Sequence, residues 1–420
     1  MTTENATHIL TPRQRINRIA VAVSVFMTPA WSLSFAESDR GFSLFAVLTV
    51  AILVVLGTLD RTSVDVIKGR VAPVLLYLAV AAFGGIAFIF HPSTAGAILT
   101  FGMVTVVGVL VAVSSFTKPE LRSFVAIPFL AMSAVQAFIV MIQSATDTAF
   151  GYALLHPGAS LLITEGYARP QGMFDHVYEA AIVAILAIAI GLALLPKAGH
   201  HRWTFLIGIG LAAISLALTH SRSAFLGLVL VVAIGAVAAV RSIPSLRLGV
   251  AIVIVAFGVP ALMTASIWEA RLTESVTGSL DEASSGRITL MAQAVDLAAS
   301  HPIVGVGPNR YIEVLETRVD ESEVTFVVHN IPLMVTAELG IPAGLLAAVL
   351  LIWAGVQSIA GGFRTALLFA APMPFFLFDV IMYNRPFGLL LFAIWCGVLG
   401  GLLRQSVRVE PTEVSHAHRS

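Results

Sequence analysis

Apolar runs of about twenty residues recur along the chain, and few charged residues interrupt them. The hydrocarbon core of a bilayer is about 30 Å thick, and a helix of about 20 residues crosses it. Charged residues make up 11% of the 420 residues, against roughly 25% in a soluble domain. The pattern therefore predicts a membrane protein with many spans, rather than a chain of soluble domains.

Twelve segments are long and apolar enough to be candidate membrane helices. Backbone N–H and C=O groups inside a bilayer must pair within their own segment, and a helix meets that requirement. We expect an all-α polytopic membrane protein that forms a single membrane domain over residues 1–420. The predicted spans are 16–35, 42–59, 71–90, 95–113, 121–142, 177–195, 203–219, 222–240, 248–267, 330–356, 365–383 and 386–403.

Lysine and arginine are unevenly divided between the loops that join these spans. If the N-terminus is cytoplasmic, an even number of spans returns the C-terminus to the same side, where sixteen of the 24 Lys and Arg residues then lie. Loops rich in Lys and Arg face the cytoplasm. The sequence therefore predicts that both termini are cytoplasmic. The basic and apolar N-terminus is expected to be an uncleaved first helix rather than a signal peptide, because its apolar run is long.

The largest outer loop is predicted at 268–329, between spans nine and ten. Within it, apolar residues recur at intervals of three and four, which predicts an amphipathic helix over 286–300 that Pro302 ends. We expect its apolar face to rest on the helix bundle or on the membrane surface. The residues of that face are Ile288, Met291, Val295 and Ala298.

Three arginines predicted on the outer side lie beside helix ends. Arg222 opens span eight, and Arg287 opens the amphipathic helix of the loop. A helix N-terminus offers unpaired N–H groups, which together with a guanidinium suit a phosphate or pyrophosphate. Arg169 precedes a turn with proline and glycine just before span six, which directs a side chain to the membrane mouth. The alternative for Arg222 is a cation that contacts lipid headgroups, and the alternative for Arg287 is a solvated loop charge.

Two histidines and an acid lie at the starts of predicted spans or within them. His329 and Asn330 begin span ten, and histidine has the pKa range of a general base near neutral pH. The alternative for His329 is a polar side chain at the start of a helix, with its hydrogen bonds satisfied and no catalytic role. Glu338, deeper in the same helix, requires an arginine or a polar backbone group as partner, or braces the bundle. His176 begins span six, either as a base or as a polar helix start.

Other catalytic patterns do not occur in the sequence. There is no nucleophile elbow, no His/Cys metal spacing and no nucleotide-binding loop, so we expect neither a metal nor a nucleotide cofactor. The formal net charge is +0, so nucleic acid is not an expected partner. The single cysteine, Cys396, permits no internal disulfide.

A series of motifs between residues 165 and 350 resembles the O-antigen ligase and polymerase superfamily of bacterial envelope glycosyltransferases. The combination of Gly-Val-Gly-Pro with His-Asn and Glu-Leu-Gly is fairly specific to the superfamily, although it does not separate its members. The motifs are Arg-Pro-Gln-Gly-Met-Phe-Asp-His at 169–176, Ser-Arg-Ser-Ala at 221–224, Ser-Gly-Arg at 285–287, His-Pro-Ile-Val-Gly-Val-Gly-Pro-Asn at 301–309, His-Asn-Ile-Pro-Leu at 329–333 and Glu-Leu-Gly-Ile-Pro-Ala-Gly at 338–344.

The resemblance implies a GT-C-like helical bundle in the bacterial inner membrane, working without metal or nucleotide. Members move a glycan from undecaprenyl pyrophosphate onto an acceptor hydroxyl on the periplasmic side. Arg222 and Arg287 match the arginines that hold the pyrophosphate, and His329 matches the histidine that activates the acceptor. Arg169 and His176 match a patch ahead of span six whose role is less defined.

The resemblance leaves several functions open. A ligase that joins a lipid-linked polysaccharide to a lipid A core is the leading expectation, with membrane lipid around it. A polymerase that extends an O-antigen or exopolysaccharide chain, or a protein O-oligosaccharyltransferase, would share the fold. A secondary transporter of twelve spans belongs to another class and should place ionisable groups near the middle of several helices. A non-catalytic assembly protein is the remaining alternative.

Overall fold

The computed structural model describes residues 12–26, 71–93, 96, 110, 113–155, 160–164, 167–241, 243–277, 286–318, 325–384 and 386–407. Its helices are α1 (Pro12–Phe26), α2 (Val71–Phe90), α3 (Lys118–Thr146), α4 (Tyr152–Leu155), α5 (Val177–Leu194), α6 (Arg202–Leu218), α7 (Arg222–Arg241), α8 (Leu246–Met263), α9 (Ala265–Thr277), α10 (Arg287–Ser300), α11 (Tyr311–Glu316), α12 (Ile331–Leu339), α13 (Ile341–Ala360), α14 (Phe363–Ala370), α15 (Met373–Phe378), α16 (Ile381–Asn384) and α17 (Pro386–Val407). A short hairpin, β1 (Leu162–Thr164) and β2 (Tyr167–Arg169), precedes α5.

The prediction of a helical, multi-pass membrane protein is confirmed in its coarse form. Six helices of the described ranges are long and apolar enough to cross a membrane, namely α3, α5, α6, α7, α8 and α13, where α5 and α6 each continue into an adjoining 3₁₀ turn. Predicted span 42–59 lies outside the described residues, and 95–113 lies almost entirely outside them. The number twelve therefore stays a prediction. The antiparallel β1–β2 hairpin, which pairs Leu162 with Arg169, was not expected.

Helix α5 lies at the centre of the bundle. All of its residues except Tyr178 are buried, as expected for a helix that is apolar all round. Its alanines and glycine let neighbouring helices approach closely, which is how helices associate in lipid. A Cβ on Gly191 would lie 2.5 Å from a side-chain carbon of Ile209 on α6.

The long helices give the bundle two different ends. Short turns join α5 to α6 and α7 to α8, so α5 and α7 begin at the end where α6 and α8 finish. We call this the site end. The opposite end, here the basic end, holds cations that were predicted to be cytoplasmic, and Arg122 there donates to the Lys197 carbonyl (2.5 Å). The cations at the basic end are Lys118, Arg122, Lys197, Arg202, Arg241 and Arg247.

Predicted span ten, 330–356, was wrong as a single helix. The chain reverses at Gly340, whose φ is 93°, and α12 and α13 pack side by side. Glycine is required here because a Cβ on Gly340 would overlap the Ile303 carbonyl oxygen, and one on Gly344 would overlap Thr336 Oγ1. Pro342 is the second residue of α13, in the first turn, where a proline is tolerated.

Predicted span eleven, 365–383, is also interrupted. It is divided into α14, α15 and α16 by breaks after Ala370 and Phe378. Predicted spans 71–90 and 386–403 agree closely with α2 and α17.

Candidate active site

Two glutamines of α3 hold the turn that leads into α5. Gln143 Oε1 accepts from the backbone N–H groups of Gln171 (3.0 Å) and Gly172 (2.8 Å), and its Nε2 donates to the Gly172 carbonyl (2.7 Å). Gln136 Oε1 accepts from Met173 N–H (2.8 Å). Both glutamines are buried and seven residues apart on one helix face. Sequence reasoning missed them, although two amides in an apolar helix were a usable signal.

Arg169 ends strand β2 as a buried cation. Its side chain is 3% exposed, and its Cζ lies 5.2 Å from the centre of the Tyr178 ring. The Nε and Nη2 atoms have no hydrogen-bond partner among the described residues. A guanidinium stays charged in proteins, and burying a charge is costly unless an anion or a hydrogen bond compensates it. Arg169 therefore has two buried donor atoms that an anionic group could bind.

His176 is a helix cap. Its Nδ1 accepts from the backbone N–H of Tyr178 at 3.3 Å, and its ring stacks on Tyr178 with centroids 4.7 Å apart. This contact agrees with the polar helix start that the sequence left as one alternative. His176 and Arg169 thus touch the same tyrosine, one through a stacked ring and the other through a cation–π contact.

The turn before Arg222 is built around His220, which sequence reasoning did not select. His220 has a φ of 50° and is buried, with its Nε2 3.2 Å from Thr264 Oγ1 on the α8–α9 connection. Its ring contacts Tyr167 of β2 at 6.0 Å and Trp268 of α9 at 5.6 Å between centroids. The strand that carries Arg169 and the turn that carries Arg222 therefore meet at the site end.

Arg287 and His329 form the second part of the site. Arg287 begins α10 after Gly286, whose φ is 74°, and His329 lies two residues before α12, against which α10 packs. Burial and, next, the nearby Arg287 guanidinium lower the pKa of His329 from 6.5 to about 4. The imidazole is therefore neutral at pH 7. Arg287 Nε and His329 Nδ1 are buried without a hydrogen-bond partner among the described residues.

Asn330 is a structural residue. Its Oδ1 accepts from Leu333 N–H (2.9 Å) and caps α12, while its Nδ2 donates to the Leu377 carbonyl of α15 (3.2 Å). Helix α15 also packs against α7, the helix that Arg222 begins. Asn330 thus fixes the segment of His329 to the site end of the bundle.

Glu338 braces the loop between α10 and α11. Its carboxylate is fully buried and accepts from Asn309 N–H (2.9 Å), Tyr311 N–H (3.3 Å) and the Tyr383 hydroxyl (3.0 Å). The backbone adds a bond from Gly307 N–H to the Glu338 carbonyl (2.9 Å). The partners of Glu338 therefore include two backbone N–H groups and a tyrosine hydroxyl. A carboxylate that already accepts three hydrogen bonds is poorly suited to carrying an ion across a membrane.

Fold and site together define a multi-pass membrane protein with arginines and one neutral histidine at the same end of a helix bundle. Residues 207–348 match the family model described as O-antigen ligase. The match confirms the predicted resemblance to the O-antigen ligase and polymerase family over these residues. None of the curated proteins compared with the chain matches it.

The matched segment contains most of the residues selected from the sequence. Arg222, Arg287 and His329 lie inside it, together with Asn330 and Glu338. Arg169 and His176 lie before its first residue. Their connection to the site is the contact between Tyr167 and His220 rather than the family match.

Proposed function

We propose that the protein is a glycosyltransferase of the ligase type, which moves a glycan from undecaprenyl pyrophosphate to a hydroxyl of a lipid A core. The observation that carries the proposal is the neutral imidazole of His329 beside the guanidinium of Arg287 at the site end. A cation lowers the pKa of a neighbouring histidine, so the pair provides an unprotonated base and a positive charge together. Glycan transfer from a pyrophosphate needs both.

The arginines would stabilise the leaving group. When the bond between the sugar and the pyrophosphate breaks, negative charge grows on the departing oxygen. Fixed cations outside bulk water stabilise that charge, and one well-placed donor is typically worth about 3 kcal/mol. Arg222 and Arg287 each begin a helix, where N–H groups add to the guanidinium. Arg169, with two donor atoms that lack a described partner, is proposed as a third pyrophosphate ligand.

His329 would activate the acceptor. One ring nitrogen takes the proton of the acceptor hydroxyl, and the hydroxyl oxygen attacks the anomeric carbon of the donor sugar. The bond from that carbon to the pyrophosphate oxygen breaks, and undecaprenyl pyrophosphate leaves with both electrons. A base of this kind contributes roughly 10²–10⁴-fold to the rate. Direct attack implies inversion at the anomeric carbon.

We place the site end on the periplasmic side of the bacterial inner membrane, with both termini in the cytoplasm. Support comes from the basic end, where Lys197, Arg202 and Arg241 lie together as the positive-inside rule requires of cytoplasmic loops. Cysteine labelling at the exposed polar positions His200 and Asp296 in spheroplasts tests this orientation. Reagent that cannot cross the membrane should reach position 296 and not position 200.

The transfer itself is tested with the full chain in proteoliposomes that contain an undecaprenyl-pyrophosphate-linked glycan and a lipid A core. Arg222→Ala, Arg287→Ala and His329→Ala should each reduce transfer without reducing membrane insertion. Arg202→Ala and His200→Ala, both exposed at the basic end, are the matched controls and should retain activity. Full activity in all three site variants would contradict the assignment.

A polymerase of the same family remains the alternative within this fold. Deleting the gene separates the two functions. Loss of a ligase leaves bare core and accumulated lipid-linked polymer, whereas loss of a polymerase leaves products with a single repeat. A protein acceptor would leave the lipopolysaccharide unchanged and remove glycan from protein.

A further inference from the structure

Helix α10 has three sectors rather than the two of a simple amphipathic helix. Successive residues of a helix are about 100° apart. The sector that faces the bundle is buried and consists of Leu290, Ala294, Leu297 and Ala298. A polar sector with Thr289, Asp296 and Ser300 is exposed.

The third sector is apolar and exposed. It consists of Ile288, Met291 and Val295, and Val295 is 56% exposed. The sequence pattern had placed these three residues on one face with Ala298, and the structure corrects this, because only Ala298 of the four packs on the bundle. About half of each side chain in the apolar row is therefore exposed, whereas the buried sector is covered by the bundle.

The end of α10 lies beside the start of an exposed apolar row on α13. Helix α13, a candidate membrane span, exposes one apolar row along its length. The Ile341 N–H at the start of that row donates to the Pro302 carbonyl (2.8 Å), two residues after α10 ends. Ile303, next in the chain, is 70% exposed. The exposed row of α13 is Ile341, Leu345, Val349, Ile352, Val356 and Ile359.

We propose that α10 is an interfacial helix, and that its row of Ile288, Met291 and Val295 and the exposed apolar row of α13 both face the lipid of the bilayer. A helix with an apolar face and a polar face lies in the plane of the membrane interface, with its apolar side chains at the boundary of headgroups and acyl chains. In α10 the buried sector fastens the helix sideways to the bundle. The occupant of the apolar row is phospholipid.

This position has a consequence for the site. Arg287 is the first residue of α10, next to Ile288, and it lies close enough to His329 to lower its pKa. A helix held flat on the bilayer keeps the Arg287 guanidinium at the level of lipid headgroups, where a lipid-bound diphosphate is presented. The interfacial placement itself does not rest on the proposed transfer reaction.

Spin labels on the two exposed sectors test the placement. The single cysteine, Cys396, is replaced by alanine, and full-length variants carry Met291→Cys or Val295→Cys in the apolar row and Thr289→Cys or Asp296→Cys in the polar sector. Each nitroxide is measured in vesicles of phosphatidylethanolamine and phosphatidylglycerol with oxygen, which concentrates in the bilayer, and with a water-soluble nickel chelate. The ratio of oxygen to nickel collisions should be several-fold higher at 291 and 295 than at 289 and 296.

Two results would overturn the placement. Nickel access at all four positions would mean that the row faces water. Low access to both reagents at 291 and 295 would mean that protein covers the row, and distances between labels would then reveal a second copy. Met291→Asp should also raise nickel access at a label on position 295, whereas the matched Thr289→Asp should not. If Met291→Asp does not fold, the four cysteine variants decide the question by themselves.

Discussion

The Arg287 guanidinium should help to set the pH below which the rate of glycan transfer declines. The pKa of His329 is lowered from 6.5 to about 4, first by burial and second by the Arg287 guanidinium. A base must be unprotonated, so kcat/KM should stay high as the pH falls from neutral and should decline as it passes through about 4. In a protein with an ordinary histidine base, the decline would begin near 6.5.

Arg287→Ala removes the smaller of the two causes and leaves burial in place. Because burial is the larger of the two causes, the acidic decline should move upward but stay below 6.5. The rate above the decline should also fall, by about 10²–10³-fold if one leaving-group donor is lost. Arg287→Lys keeps the charge, so the decline should stay in place, although the ammonium lacks the forked donors and the rate should still fall.

The assay is the initial rate of glycan transfer in proteoliposomes at a series of pH values, with limiting donor so that kcat/KM is measured. Arg202→Ala, a cation removed from the basic end, serves as the control and should leave the profile unchanged. The electrostatic reasoning is refuted if Arg287→Ala and the parent protein decline at the same pH. An acidic decline that persists in the residual activity of His329→Ala would show that another group titrates.

Three further predictions concern the residues that position the site. Glu338→Gln should lower the free energy of unfolding by roughly 1–3 kcal/mol, because the amide NH₂ would replace an oxygen that accepts a hydrogen bond from a backbone N–H group. Thermal unfolding in detergent measures this change. Gly340→Ala should reduce the yield of folded protein, since its Cβ would overlap the Ile303 carbonyl, while Gly258→Ala, with no atom within 4 Å of the added carbon, is the control. Gln143→Leu should speed proteolysis in the turn before α5, because three hydrogen bonds to that turn and one to the Phe150 carbonyl are lost. Unchanged cleavage would show that other contacts hold the turn.

The membrane helices could be predicted from the sequence because their signal is local. A run such as 71–90 has no charge and is as long as a bilayer is thick, and its bounds agree with those of α2. The grouping of cations such as Lys197 and Arg241 at one end likewise follows from where each lies along its own helix. Neither inference requires knowing which helices are neighbours.

The partners of the polar residues could not be predicted, because they depend on segments far apart in the chain. Glu338 binds the backbone of 309 and 311 and the hydroxyl of Tyr383, forty-five residues away. Gln143 binds a turn twenty-eight residues further along. In each case the sequence shows a polar group in an apolar helix and requires a partner, and the packing supplies it.

The sequence by itself determined that this chain is a helical membrane protein and which arginines and histidines lie near helix ends, because hydropathy and helix starts are properties of neighbouring residues. Tertiary structure decided that the chain reverses at Gly340 and that Ile288, Met291 and Val295 point away from the bundle. Periodicity fixes which residues share a helix face, but the direction of that face depends on the helix it packs against. The pairing of Arg287 with His329 has the same origin, since α10 and α12 are brought together only by packing.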